Sequence, residues 1–450
     1  MKYFSTNHKA PKVSFAEALI KGLAPDKGLF MPEEIPTIDP EKIEWFASME
    51  YHQIAFNIFN AFFKKDIPES ELFKMCKTAY DFDVPLENVY ERKYIMRLDQ
   101  GPTASFKDFA GRMMGRLMSH FLKTDNKKLV ILTATSGDTG SAMANAFYGL
   151  ENIKVVVLFP KDEVTMRQRK QMTSLGKNIS VLAVDGKFDD CQAMVKEAFS
   201  DTDLEYLNLS SSNSINIGRL LPQIVYYFYA YSKLAQKGSN EGATFCIPSG
   251  NFGDMMGCVL AKKMGLPIKK ILIATNSNDE FPTFLNTETY SKIEPSKNAL
   301  SSAMNVGHPS NLARLVELYG GNMDETGKLH KKPDFDKLRS DIFTISVSDE
   351  ETTQTITKAW NEHKLLLEPH GAVGWFCLEK YLSQKPSHAD DLFVSLETAH
   401  PAKFPEQIQQ LLKFDPKLPK SLVGLDNLDE KMTNISNSYT ELKTYLKDNF

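Results

Sequence analysis

The sequence predicts an α/β fold with sheets covered by helices on both faces, preceded by a smaller helical unit. Three observations lead there. Short runs rich in Val, Ile and Leu alternate with amphipathic segments, the pattern of βαβ units with a buried sheet. Glycine-containing loops stand where such runs give way to helix-like segments. The chain is 450 residues long and 42% hydrophobic, sufficient for two or three domains with sizeable cores.

The first ninety or so residues lack this alternation. Turn signals at Gly28, Pro32, Pro36 and Pro40 precede periodic stretches such as 43–63, so a small, mostly helical unit without a catalytic cluster is expected there. From Tyr94 the texture changes. Strands are expected at LVILTAT (129–135), IKVVVLFP (153–160), ISVLAVDG (179–186), ATFCIPS (243–249), IKKILIAT (268–275) and DLFVSLET (391–398). A stretch rich in Asn, Ser and Pro at 276–309 reads as a connection or mobile loop, and SYTELKTYLKDNF (438–450) as an amphipathic helix.

Several function classes drop out on composition and spacing. Net charge is −4, with Lys and Arg mixed among Asp and Glu along the chain, so no basic face for nucleic acid is expected. The five cysteines, Cys76, Cys191, Cys246, Cys258 and Cys377, are odd in number and scattered, which points to a reducing cytoplasm rather than a disulfide frame or zinc ribbon. No apolar signal-peptide core and no membrane-spanning run is visible. The histidines form no metal-ligand spacing, and no Gly-x-Ser-x-Gly elbow is present. His370 and His400, in EPHGAVG and TAHPAKF, read as packing or hydrogen-bonding residues.

Three loops hold the candidate chemistry. In Thr103-Ala104-Ser105-Phe106-Lys107-Asp108 the lysine precedes Phe109, Met113, Leu117 and Phe121, a four-residue spacing that predicts a helix with one buried stripe. At a helix start an ammonium meets the positive end of the dipole, and desolvation would lower its pKa further, as an amine needs for imine formation. A solvated surface lysine is the other reading. The loops Thr135-Ser136-Gly137-Asp138-Thr139-Gly140 and Ser249-Gly250-Asn251-Phe252-Gly253-Asp254 both run from strand to helix. Their glycines suit either anion sites built from free amides or simple tight turns; neither matches a dinucleotide or nucleoside-triphosphate loop.

Together these segments resemble the threonine synthase family, of the longer bacterial and fungal kind, within the fold type II pyridoxal-phosphate enzymes. The motifs in order are VSFAEALIKGLAPDKGLFMPEEIP, GPTASFKDFAGR, ILTATSGDTGSA, SSNSINIGRLLPQ, IPSGNFGD, LEPHGAVG and ETAHPAKFPE. The resemblance implies a large α/β domain (91–126 and 227–450), a smaller inserted α/β domain (127–226) and an N-terminal helical unit (1–90). It implies that Lys107 carries pyridoxal 5'-phosphate covalently and shuttles protons. Gly250, Asn251, Phe252, Gly253 and Asp254 are then the phosphate loop of the cofactor, and Thr398 the hydroxyl at its ring nitrogen, which would leave that nitrogen largely unprotonated. Ser136 and Thr139 are expected at the substrate carboxylate, and Asn213, Ser214 and Arg219 at the substrate phosphate. Many members of the wider fold type II group place Asn in this loop, at the cofactor's 3'-oxygen, where this chain has Asp138; a carboxylate cannot donate to a phenolate, so Asp138 is not assigned that contact. The implied reaction turns O-phospho-L-homoserine and water into L-threonine and phosphate. The rivals are a phospholyase releasing 2-oxobutanoate and a non-catalytic binding module on the same fold.

Overall fold

A computed structural model describes residues 1–124 and 127–450. Its larger sheet has six strands in the order Ile342–Ser346, Ile268–Thr275, Ala243–Pro248, Phe393–Glu397, Lys93–Arg97 and Leu86–Tyr90. Neighbours are parallel, apart from the antiparallel hairpin formed by the last pair. Every residue of Ala243–Pro248 is buried, as required of a central strand covered on both faces. The smaller sheet has five parallel strands, in the order Thr433–Ser436, Ile179–Asp185, Ile153–Pro160, Leu129–Ala134 and Leu209–Ser210. All six strands expected from the sequence are present.

The helix Lys107–Thr124 joins the two halves. Its stripe of Phe109, Met113 and Leu117 is buried, with Phe121 partly so, and it packs against the helix Asp138–Phe147. Small residues set that approach: a Cβ on Gly115 would lie 2.9 Å from the Ala146 carbonyl oxygen. The N-terminal unit contains the expected helices, Tyr51–Phe63 and Glu69–Ala79. It also contains a three-stranded antiparallel sheet of Val13–Ser14, Lys2–Ser5 and Phe30–Pro32, which the sequence reading did not include. The fully buried Arg314 ties this unit to the rest by donating to Phe30 O, Ile215 O and Asn311 Oδ1.

The strand pairing redraws the expected division of the chain. Leu86–Tyr90, expected in the N-terminal unit, is half of the Lys93–Arg97 hairpin. The limit at 226/227 falls inside the helix Val225–Leu234. Residues 125 and 126, beside the limit at 126/127, lie outside the described residues. The main correction concerns the end of the chain, which was expected in the large domain. Thr433–Ser436 instead extends the smaller sheet beside Ile179–Asp185, and the helix Tyr439–Asn449 packs on Phe188–Ser200. The physical reason is that Ile435, Leu442 and Leu446 share one apolar cluster with Cys191, Met194 and Val195.

The 276–309 stretch is more ordered than its composition suggests. It includes the helix Glu280–Thr287, and side chains stitch its return path. Asn276 Nδ2 donates to Asn305 Oδ1 at 2.9 Å, and Asn278 exchanges two bonds with the Lys297 backbone. Among the described residues no helix is long and apolar enough to cross a membrane.

Candidate active site

Lys107 is placed by a turn clamped from two sides. Within the turn, the buried Asp108 carboxylate accepts from Thr103 N (2.8 Å) and Thr103 Oγ1 (2.7 Å), and Ala104 adopts a left-handed φ of 52°. From outside, Phe106 N donates to Thr398 O (2.9 Å) and His400 N to Ala104 O (3.0 Å). The helix therefore begins at Lys107, beside the segment that follows Phe393–Glu397. The Lys107 side chain is 12% exposed, with Nζ 3.6 Å from Asp138 Oδ2 and 4.9 Å from the centre of the Phe106 ring. Burial, the largest influence, lowers its pKa, and Asp138 works against that.

The central strand Ala243–Pro248 delivers the second element. Phe252 takes a left-handed φ of 62° and caps the helix Gly253–Lys263. Its ring is buried against Phe281, centroids 4.9 Å apart. Gly250 is required by close approach, since a Cβ there would lie 2.8 Å from Met304 Cα. The amides of Gly250, Asn251, Phe252 and Gly253 have no acceptor among the described residues, an arrangement that suits an anionic group at a helix start. Asn251 is held on three sides: Nδ2 donates to Ser214 Oγ (2.6 Å), Oδ1 accepts from Ser310 N (2.7 Å), and the carbonyl accepts from Asn311 Nδ2 (2.8 Å). Asp254 turns elsewhere, accepting from Ser249 Oγ (2.5 Å) and Met255 N (2.8 Å). Burial pushes its carboxyl up to about 6.

The third element faces them from the smaller sheet. Thr135 Oγ1 accepts from Gly137 N (2.9 Å) and Gly140 N (2.8 Å). This fixes the turn and leaves the amides of Ser136, Asp138 and Thr139 without an acceptor among the described residues. Ser136 is exposed and Thr139 half-buried. Nearby, Asn213 Oδ1 accepts from Thr133 Oγ1 (3.0 Å). Arg219 is 3% exposed; Nη1 donates to Ser212 O (2.6 Å) while Nε has no acceptor. Burial brings its guanidinium down to about 10, and its positive charge is felt at Lys107. Among the described residues no carboxylate acts on its charge, which leaves the guanidinium suited to an anionic group.

The sequence reading missed Lys403 and left Asp138 without a role. Lys403 is fully buried, with Nζ 2.6 Å from Asp138 Oδ1 and 2.9 Å from Thr103 O. Burial alone would raise the Asp138 pKa, but the charges of Lys403 and then Lys107, with a hydrogen bond from Gln168, hold it well below the carboxylate range. The signal available was a lysine inside TAHPAKF, an otherwise uncharged run. The two histidines make the expected hydrogen bonds. His370 Nδ1 meets Glu368 Oε2 (2.5 Å) and Nε2 accepts from Ala303 N (3.1 Å), while His400 Nδ1 accepts from Ala402 N (3.1 Å). Thr398 Oγ1 lies 3.4 Å from Glu368 Oε1.

Comparison with known proteins gives this arrangement its context. Residues 2–80 match the family model for the threonine synthase N terminus, 84–396 that for pyridoxal-phosphate dependent enzymes, and 371–446 that for the threonine synthase C-terminal region. A threonine synthase from Haemophilus influenzae is 38% identical over 447 residues, covering 99% of each chain. The chain belongs to the threonine synthase family. The crystal structure of the family member from Escherichia coli superposes with a TM-score of 0.88 at 37% identity over 100% of both chains. A pyridoxal-phosphate-bound threonine synthase from Brucella melitensis superposes with a TM-score of 0.92 at 33% identity, over 100% of this chain and 99% of that one.

Membership of the threonine synthase family makes this a fold type II pyridoxal-phosphate enzyme, a lyase of amino-acid biosynthesis acting on a small molecule. Full-length coverage by threonine synthases favours that activity over a phospholyase or a non-catalytic module. The residues present fit the cofactor. A desolvated primary amine, a run of uncommitted amides at a helix start and a buried hydroxyl at Thr398, whose carbonyl accepts from Phe106 N, are the groups it needs.

Proposed function

We propose that this member of the threonine synthase family converts O-phospho-L-homoserine and water into L-threonine and phosphate, in the cytoplasm, with Lys107 as the catalytic amine. The observation that carries the substrate is Arg219, a buried guanidinium with an uncommitted Nε and no carboxylate partner among the described residues. Its planar fork suits a phosphate. Asn213 and Ser214 would complete the phosphate site, and the amides of Ser136, Asp138 and Thr139 would receive the substrate carboxylate. The cytoplasmic placement is supported by five cysteines that are all buried and unpaired.

Lys107 would carry the cofactor, the Gly250 to Gly253 amides its phosphate, and Thr398 its ring nitrogen. When bound, pyridoxal phosphate supplies the electron sink for charge that develops on the substrate carbons. The chain's own residues do the rest. The free Lys107 amine would remove the proton at Cα and, once it has passed that proton on to solvent, one at Cβ. Arg219 steadies the phosphate as it leaves Cγ. Lys107 would return a proton at Cγ, water adds its hydroxyl at Cβ and gives its other proton to the departed phosphate, and a last proton from solvent, delivered at Cα, completes threonine. Burial lowers the basicity of the Lys107 amine, which favours the free form that accepts protons.

The test is turnover of O-phospho-L-homoserine in heavy-oxygen water. Threonine labelled at its hydroxyl, with one phosphate per turnover, is the expected result. Mostly 2-oxobutanoate and ammonia would instead assign the site to a phospholyase.

A further inference from the structure

Three charged side chains from distant parts of the chain, Lys107, Asp138 and Lys403, meet with an asymmetric geometry. Asp138 Oδ1 is occupied by Lys403 Nζ at 2.6 Å and Gln168 Nε2 at 2.9 Å. Its other oxygen, Oδ2, faces Lys107 Nζ at 3.6 Å. Lys403 also grips Thr103 O, in the turn that carries Lys107, so one side chain positions both the amine and its counter-ion. A fully buried ion pair contributes little net stability compared with apolar packing, and this one lies beside the reactive amine. Asp138 also sits among amides suited to a substrate carboxylate, where an uncompensated negative charge would repel the ligand.

We propose that Asp138, with Lys403 as its fixed counter-charge, is the positioning residue for the Lys107 amine and holds the ammonium that Lys107 becomes whenever it takes a proton from substrate carbon. In that step the electron pair of the C–H bond stays with carbon, the proton moves to Nζ, and Asp138 remains a carboxylate. Two other charges face Lys107. Arg219, on Ile217–Leu220, opposes the ammonium, and Asp254, on Gly253–Lys263, feels the Lys107 charge but turns Oδ1 to Ser249 Oγ and Met255 N and forms no ion pair with Lys107. Among the described residues Asp138 is the carboxylate that lies within ion-pair distance of Lys107 Nζ, at 3.6 Å, and so is placed to receive it. The negative charge is tolerable in this loop because Lys403 comes with it.

The proposal rests on Lys107 being the cofactor lysine, and the test keeps the two apart. In the holoenzyme the visible absorption of the cofactor is titrated against pH, following protonation at the Lys107 nitrogen. Asp138→Asn is expected to move the midpoint down by about 1 to 3 pH units. Adding Lys403→Met to Asp138→Asn removes the unbalanced positive charge and is expected to bring the midpoint back toward wild type. A purely structural role would not reverse sign in this way. A midpoint unmoved in Asp138→Asn, or one that falls further in the double variant, overturns the proposal. Borohydride reduction and peptide mapping of the same samples answer the other question, since a pyridoxyl label on a different lysine overturns the cofactor assignment instead.

Discussion

Lys107 and Arg219 are two buried basic groups, and the Arg219 charge is felt at Lys107, yet of the two only Lys107 has a carboxylate beside it. Their replacement should therefore fail differently. Lys107→Ala is expected to lose borohydride labelling and turnover, by about a thousandfold or more, with its melting temperature kept close to wild type. Arg219→Ala is expected to keep the cofactor absorbance and raise KM for O-phospho-L-homoserine by roughly a hundredfold, the consequence of a buried phosphate losing its charge-assisted partner. An unchanged KM would place the phosphate elsewhere. Glu280 offers a pH test away from the chemistry. Burial pushes its carboxyl from 4.5 up to about 8, and one of its oxygens has no hydrogen-bond partner. A raised acid binds its proton more tightly in the folded state, so wild-type stability is full below about 4.5 and declines as pH rises toward 8. Glu280→Gln removes that decline. Its advantage at pH 8 should be of the order of 3 kcal/mol, measured by denaturant unfolding at pH 5 and pH 8.

At the scale of elements, the loop after Ala243–Pro248 is the most constrained part of the site. A methyl group on Gly250 would press on Met304 Cα, which as backbone cannot swing aside. Gly250→Ala is thus expected to weaken cofactor binding by about tenfold or more in equilibrium titrations, and unaltered binding would show that this turn has slack. The loop was readable because strand, glycines and helix are contiguous in sequence, as they are around Lys107. The six apolar strands were readable for a similar reason: burial on both faces leaves uninterrupted Val, Ile and Leu. Thr433–Ser436 was not, because only Ile435 of its four residues is buried. Leu86–Tyr90 and Ile342–Ser346, edge strands with mostly half-buried residues, have equally mixed composition. Lys403 escaped for another reason. Its partner Asp138 is remote in the chain, and nothing in TAHPAKF records that the lysine finds a carboxylate there.

At the scale of the whole molecule, the C-terminal segment binds the smaller sheet from outside. Arg169 Nε donates to Glu430 Oε2 (2.8 Å), Lys431 N donates to Thr173 O (2.6 Å), and Thr433–Ser436 completes the sheet edge. Removing residues 432–450 would uncover the edge of Ile179–Asp185 and the apolar surface beneath Leu442 and Leu446. The truncated chain is expected to aggregate and to melt at lower temperature. Equal solubility and melting behaviour would show that the sheet is self-sufficient. The same pairing has a consequence for time. On a ribosome, Ile179–Asp185 emerges well over two hundred residues before the strand that covers it, about 10 to 50 seconds at typical elongation rates. Throughout that interval the nascent sheet carries an open edge, and chaperone protection matters most then.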